Sequence, residues 1–471
     1  MTNKLKLYLL SVIFLLGYTN MSFELIVLKQ LVNFVGSNTL ITSIVISTIL
    51  LFLSIGYYIG SVISFSKYAI RLIILRLTIF LAIWYILACS YYLLGGYFYL
   101  SYLLGVRSTT LFVMLFSLLF LSAPAVGLGF ITSSIGRIIH HYDFNYTGRF
   151  LAVDTAGSVL GSLATTLILM PLLGCSNTIG ILITLNTAVL LCISKKSQLY
   201  FNVANFLLLS ILAFVINNEK IINPQNMLIK DDAISRMEIH KSDLVGNEYL
   251  SKELKINGSG SSKVSSKDDL MYEYVKFINK RYIETLPEDG IYDILILGAG
   301  GFTIGIDDSK NNYVYLDIEK NLQDVSEKLL LGRKLTDNKK FIVEDAYLYM
   351  INNKKKFDLI IVDVYSAVQS IPTNFVTVDF FEMIKSSLNN EGIMLANIIT
   401  SPSFKNDFSR RIDNTLRKVF NHYLSRQIIQ DYNPYEYNLS NIIYIYHNLP
   451  IDDTVYTINK NSAIYGQELV W

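Results

Sequence analysis

Seven stretches of the sequence, near residues 5–30, 39–65, 70–94, 109–135, 150–173, 177–194 and 200–217, are apolar over about the length a helix needs to cross a bilayer. A hydrocarbon core about 30 Å thick takes roughly 20 apolar helical residues. The first part of the chain is therefore expected to be an all-α polytopic membrane bundle of about seven spans, with the lipid bilayer as its partner. Residues 94–105 are apolar but too short to span, which suits an interfacial or re-entrant piece. The start Met1-Thr2-Asn3-Lys4 imitates a signal peptide, yet no small-residue cleavage site follows it, and the segment reads as a retained first span.

Charge divides the chain in two. Residues 1–216 hold 11 of the 40 Lys and Arg but only Glu24, Asp143 and Asp154 among the acids, a net +8, while the remainder carries 29 basic and 35 acidic residues, a net −6. Neither part has the Lys/Arg clustering of a nucleic-acid binder. With seven spans, Lys4, Lys6, Lys67, Arg71, Arg137, Arg149, Lys195 and Lys196 collect on one side, against Lys29, Arg107 and Lys220 on the other. That bias places the amino terminus in the cytosol and the carboxyl-terminal module outside. A cytoplasmic module is expected instead from the site residues described below, and six or eight spans would reconcile the two.

Glu24 and Asp154 fall in apolar segments, where an unpaired carboxylate is costly and marks a functional candidate. Alternatively, Glu24 pairs with Lys29, and Asp154 caps a helix start beside Arg149. Gly157 and Gly161 are spaced for close helix packing. The three cysteines, Cys89, Cys175 and Cys192, and the five histidines show neither disulfide nor metal spacing, so no metal is expected.

From about residue 232 short alternating segments take over. Met237 to His240 and Tyr249 to Ile256 read as strands, Asn257-Gly258-Ser259-Gly260 as a turn, and Leu270 to Tyr282 as a helix. From Ile291 the order strand, glycine loop, helix, strand, helix, strand indicates an α/β fold with a parallel sheet. The first strand, Ile291 to Leu297, ends in Gly298-Ala299-Gly300-Gly301-Phe302-Thr303, where glycines let the backbone approach a ligand and a helix start can follow. Asp317, nineteen residues after Gly298, ends the next strand and is placed to accept hydrogen bonds from ribose hydroxyls. Asp345 and Asp363 follow two further strands, so the three acids are expected to share one crevice; each could equally be a cap or turn residue.

On these residues, together with Leu316-Asp317-Ile318-Glu319, Glu344-Asp345-Ala346, Asp363-Val364-Tyr365-Ser366, Ile371-Pro372, Thr377 to Phe381 and Glu391-Gly392-Ile393, the sequence resembles the spermidine synthase (polyamine aminopropyltransferase) family. Gly148 to Gly157, continuing to Pro171-Leu172-Leu173-Gly174, looks like the span shared by its membrane-fused members. The resemblance implies a transmembrane domain over 1–220, a linker and small β element over 221–290, and a Rossmann-like, methyltransferase-type catalytic domain over 291–471. It implies decarboxylated S-adenosylmethionine as co-substrate, held by Gly298, Gly300, Gly301 and Ala346, by Asp317 at the ribose and by Asp345 at the adenine amino group. Asp363 matches the base that takes a proton from the attacking amine, with putrescine or a related polyamine as acceptor beside Tyr272 and Ser366. A homo-oligomer is implied by the soluble relatives. The chain departs from the family where a second acid becomes Ser366 and where the glycine loop has Gly301 and Phe302 in place of an Asp. The alternatives are a non-enzymatic polyamine- or nucleoside-binding transporter or sensor with a degenerate synthase domain, and a methyltransferase using S-adenosylmethionine.

Overall fold

The computed structural model describes residues 3–36, 39–63, 67–106, 108–142, 147–224, 226–233, 235–245, 248–265, 271–365, 371–429 and 439–452. Two compact units emerge: Met1–Met271 with Asn321–Lys334 and Tyr365–Pro372, and Tyr272–Lys320 with Leu335–Val364 and Thr373–Trp471.

The first unit begins with α1 (Asn3–Val35), α2 (Thr39–Val62), α3 (Lys67–Cys89), α4 (Tyr91–Leu103), α5 (Thr109–Phe116), α6 (Ser122–Tyr142), α7 (Thr147–Ala164), α8 (Met170–Ile193), α9 (Leu199–Ile216) and the short α10 (Glu219–Ile222). Single π-helical turns join α5 to α6 and α7 to α8. Six runs among the described residues are long and apolar enough to cross a membrane: Leu9–Val35, Thr39–Val62, Arg71–Cys89, Thr109–His141, Gly148–Ile193 and Lys196–Ile216. Of the seven expected segments, 150–173 and 177–194 lie together on one run of 46 residues. That run breaks at Gly174, whose φ of 79° and ψ of 160° suit glycine alone. All but the last two residues of the stretch expected to be interfacial lie within α4, a helix of 13 residues.

Val12, Leu16, Phe23 and Ile26 of α1 join Ile179 and Ile183 of α8 in the buried apolar cluster. Small residues bring backbones together, as expected: a Cβ on Gly161 would lie 2.2 Å from the Tyr18 carbonyl oxygen, and one on Gly56 2.3 Å from that of Val126. The expected Glu24–Lys29 pair gives way to a different contact. Lys29 donates to Asn33 Oδ1 at 3.2 Å, one helical turn onward, where i,i+4 side chains meet. Asp154 sits inside α7 rather than at its start, so it is not a cap.

A four-stranded antiparallel sheet completes this unit: β1 (Asn226–Asp231), β2 (Arg236–Val245), β3 (Glu248–Ile256) and β4 (Ser259–Ser265), in that order. Asn257 and Gly258, both with positive φ, make the two-residue turn between β3 and β4. Arg236, 1% exposed, is the polar centre of the unit. Its guanidinium meets Glu219 at 2.6 Å, Asp231 at 3.2 Å and Glu238 at 3.3 Å, and stacks 3.9 Å from the centre of the Tyr91 ring. One side chain thus ties β1 and β2 to the segment after α9 and the start of α4.

The second unit holds a seven-stranded sheet of β5 (Asp293–Leu297), β6 (Asn312–Asp317), β7 (Lys339–Val343), β8 (Phe357–Val362), β9 (Leu388–Thr400), β10 (Leu424–Ile429) and β11 (Ser440–His447), in the order β10-β11-β9-β8-β5-β6-β7. The first five are parallel neighbours, and β11 and β10 add antiparallel. Leu295, Ile296, Ile360 and Ile361 are buried on both faces of the sheet, as continuous apolar strands require. Chain order reverses between β5 and β8, the place where open α/β sheets bind ligands.

One expected element is missing. Residues 298–311 run from β5 to β6 as turns, without a helix after the glycines. Positive φ at Phe302 and Gly305 interrupts helical winding, and Asp308 gathers the Lys310 N–H, the Asn311 side chain and the Tyr313 hydroxyl into a compact turn. Those hydrogen bonds hold the Asp308 carboxyl below the usual range, against the opposing effect of burial.

Candidate active site

The site lies at the carboxyl edge of β5, β6 and β8. Leu297 pairs with Leu316 on one side and Val362 on the other, so the next residues of the three strands, Gly298, Asp317 and Asp363, sit level. Gly298, with φ 89°, donates its N–H to the Leu316 carbonyl at 2.9 Å. The position a Cβ would take on Gly298 is 2.1 Å from the Asp363 carbonyl oxygen. Only glycine permits this contact between the turn and the strand that carries Asp363. Gly300 is also left-handed, at φ 51°, and Gly301 is buried in the same turn. Gly298→Ala is expected to cost about 1–3 kcal/mol from overpacking, plus about 1–2 kcal/mol from its backbone angle. Thermal unfolding of the variant measures this, and an unchanged midpoint would contradict the contact.

Asp363 is held from two directions. The Tyr274 hydroxyl donates to Oδ2 at 3.0 Å and the Asn397 amide to Oδ1 at 2.9 Å, while the Asp363 N–H bonds the Leu297 carbonyl at 2.8 Å. Burial raises its carboxyl above the usual range; the two side-chain bonds oppose that rise because they favour the charged form. A carboxylate fixed in this way and poised above its ordinary pKa is suited to take a proton.

Asp317 is pushed up to about 6 by burial, against N–H groups of Glu319, Ala299 and Ile318 that favour its ionised form. The bond from the Glu319 N–H measures 3.0 Å. Asp345 begins the helix Ala346–Asn352 as its cap, accepting from Tyr347 N at 2.9 Å and Leu348 N at 3.0 Å. Both bonds fall on Oδ1, so the capping alternative holds for that oxygen. Ala346, buried, is the first residue of the helix. Tyr272 precedes the helix Glu273–Ile278, its ring stacked 6.0 Å from that of Tyr274. Ser366 lies outside the described residues.

Tyr274 and Asn397 escape a reading by motif. Asn397 leaves a trace in the sequence, a lone amide in the apolar run Ile393-Met394-Leu395-Ala396-Asn397-Ile398-Ile399. Tyr274 sits two residues past Tyr272, the candidate beside the acceptor.

Residues 285–438 match the spermine/spermidine synthase domain. A polyamine aminopropyltransferase of Sulfurisphaera tokodaii is 30% identical over 136 residues, 27% of this chain and 44% of that protein. The chain thus spans less than half the length of that curated relative. A probable spermidine synthase from Corynebacterium glutamicum aligns at 20% identity and a TM-score of 0.38, over 49% of this chain and 82% of that one. Spermidine synthase from Thermotoga maritima aligns at 16% identity and a TM-score of 0.34, over 46% and 70%. Residues 285–438 thus carry the likeness of this chain to the spermidine synthase family.

Proposed function

We propose that this chain is a multi-pass membrane aminopropyltransferase that moves the aminopropyl group of decarboxylated S-adenosylmethionine to putrescine or a related amine, giving a spermidine-type polyamine. The observation that carries the reading is Asp363 at the switch point of the sheet, bracketed by Tyr274 and Asn397 beside the glycine turn. An ammonium has no lone pair to attack with. Asp363 takes its proton, the amine nitrogen forms a bond to the carbon beside the sulfonium, and the carbon–sulfur electrons pass to sulfur, which leaves as a neutral thioether nucleoside. Asp317 would accept the ribose hydroxyls, Asp345 the adenine amino group through Oδ2, and Ala346 would border the base. The turn at Gly298, Gly300 and Gly301 would seat the body of the donor. Tyr272 and Ser366 would line the acceptor, and carboxylates favour a polycationic amine over a neutral one. The six apolar runs support the membrane anchor.

The pH dependence tests the base. Because burial raises the Asp363 carboxyl, its active, ionised form is lost as pH falls through a point above the ordinary aspartate value of about 3.9. Tyr274→Phe removes a bond that favours the charge, so the acid limb of kcat/KM is expected to move to still higher pH. A limb that stays in place in the variant would remove Asp363 from the role of base.

A further inference from the structure

The described helix ends of the first unit separate into two groups, and they differ in charge. At one end, Arg71 at the start of α3 donates through its guanidinium to the Ile193 carbonyl at the end of α8, and Arg137 of α6 donates to the Ile63 carbonyl just past α2 at 2.7 Å. Lys195 and Lys196 follow Ile193 after Ser194, and both are exposed. Arg149, also exposed, opens α7.

The other end carries the small sheet. Ser176, just past the Gly174 break, donates to Asp231 Oδ2 at 3.1 Å; Tyr91 of α4 stacks on Arg236; and Glu219, just past α9, pairs with the same guanidinium at 2.6 Å. Of the cations near these helix ends, Lys29 is buried and bonded to Asn33, leaving Lys220 exposed among the described residues.

Helix direction links the two ends. Gly157 of α7 packs on Phe14 and Gly161 on Tyr18, so α1 and α7 run parallel, and the amino terminus shares the basic end with Arg149. At the Gly174 break the run Gly148–Ile193 reaches the sheet, and by Ile193 it has returned to Arg71. It therefore makes two passes, the bundle makes seven, and the two termini of the bundle lie at opposite ends.

Resting on the multi-pass reading above, we infer that the end bearing Arg71, Arg137, Arg149, Lys195 and Lys196 is the surface that meets the anionic phospholipid of the cytoplasmic leaflet, and that the four-stranded sheet faces the opposite side of the membrane. Clustered Lys and Arg in short loops near span ends are retained on the cytoplasmic side, and an anionic leaflet attracts them. Among the described residues, no helix after Ile216 is long and apolar enough to cross back.

The test uses the full chain in intact cells, with Cys192→Ser removing the exposed native thiol and Lys252→Cys in β3 or Lys196→Cys at the basic end as reporter. A membrane-impermeant maleimide is expected to label the Lys252→Cys chain at least tenfold more than the Lys196→Cys chain, with the two equal after permeabilisation. The reverse ratio overturns the orientation. Protease added to intact cells reads the same arrangement in the unmodified chain: it should trim the chain to a fragment near the size of the bundle, and full protection until permeabilisation overturns the proposal. Release of the chain by alkaline carbonate would instead sink the multi-pass reading itself, a failure distinct from that of the orientation.

Discussion

Asp363→Asn is expected to lower the rate of transfer by about 10²- to 10⁴-fold, the usual contribution of a general base, while nucleoside binding stays within about twofold. The substitution keeps the shape of the side chain. The new amide can accept from Asn397 through its oxygen and donate through its nitrogen to the Tyr274 hydroxyl, so the two neighbours that hold Asp363 at 2.9 and 3.0 Å retain a partner. What disappears is the capacity to remove a proton from the amine. Donor binding, assigned to Asp317, Asp345 and the glycine turn, does not depend on that capacity. Calorimetric titration with a thioether nucleoside, beside the rate measurement, separates the two effects. A variant that loses binding and rate together would mean that Asp363 shapes the site rather than performing chemistry in it.

Arg236→Ala is expected to destabilise the first unit by about 3–5 kcal/mol, the cost of removing one partner of a buried ion group. The wild-type guanidinium offsets three carboxylates at 2.6 to 3.3 Å. Without it, Glu219, Asp231 and Glu238 remain 4–6% exposed with their charges uncompensated. Burial already raises the Glu238 carboxyl, and Arg236 is the strongest influence in the opposite direction. Losing Arg236 raises it further. A raised carboxyl contributes most to stability while protonated, so the deficit of the variant should grow as pH rises from about 5 to 8. Thermal unfolding of the detergent-purified chain at both values measures this. Equal midpoints for variant and wild type at pH 8 would show that the cluster does not hold the sheet.

Periodicity and turn chemistry carried much of the fold. Apolar runs marked the helices, the Asn257-Gly258 pair marked its hairpin, and Ile294 to Leu297 marked a strand buried on both faces because nothing polar interrupts it. The expected segments 150–173 and 177–194 meet at Gly174, where the chain breaks without losing its apolar character. The helix expected after Gly301 fails for a local reason, left-handed residues at 302 and 305 together with the Asp308 turn. In the site, strand ends located Asp317 and Asp363, because ligands of parallel sheets gather at those ends. Tyr274 and Asn397 reach Asp363 across 89 and 34 residues of sequence, a distance over which spacing carries no signal. Arg236 was missed for a similar reason. A charged residue in an alternating strand reads as solvent-facing until its partners come from other elements.

The central claim is transfer of an aminopropyl group. Its most direct test is product formation by the detergent-purified chain given decarboxylated S-adenosylmethionine labelled in the aminopropyl group and a panel of amines including putrescine, with S-adenosylmethionine labelled in its methyl group as a parallel donor. The account predicts labelled polyamine from the decarboxylated donor alone, at a level that collapses in Asp363→Asn. Methylated product from the second donor, or no product from either despite measurable nucleoside binding, would contradict it.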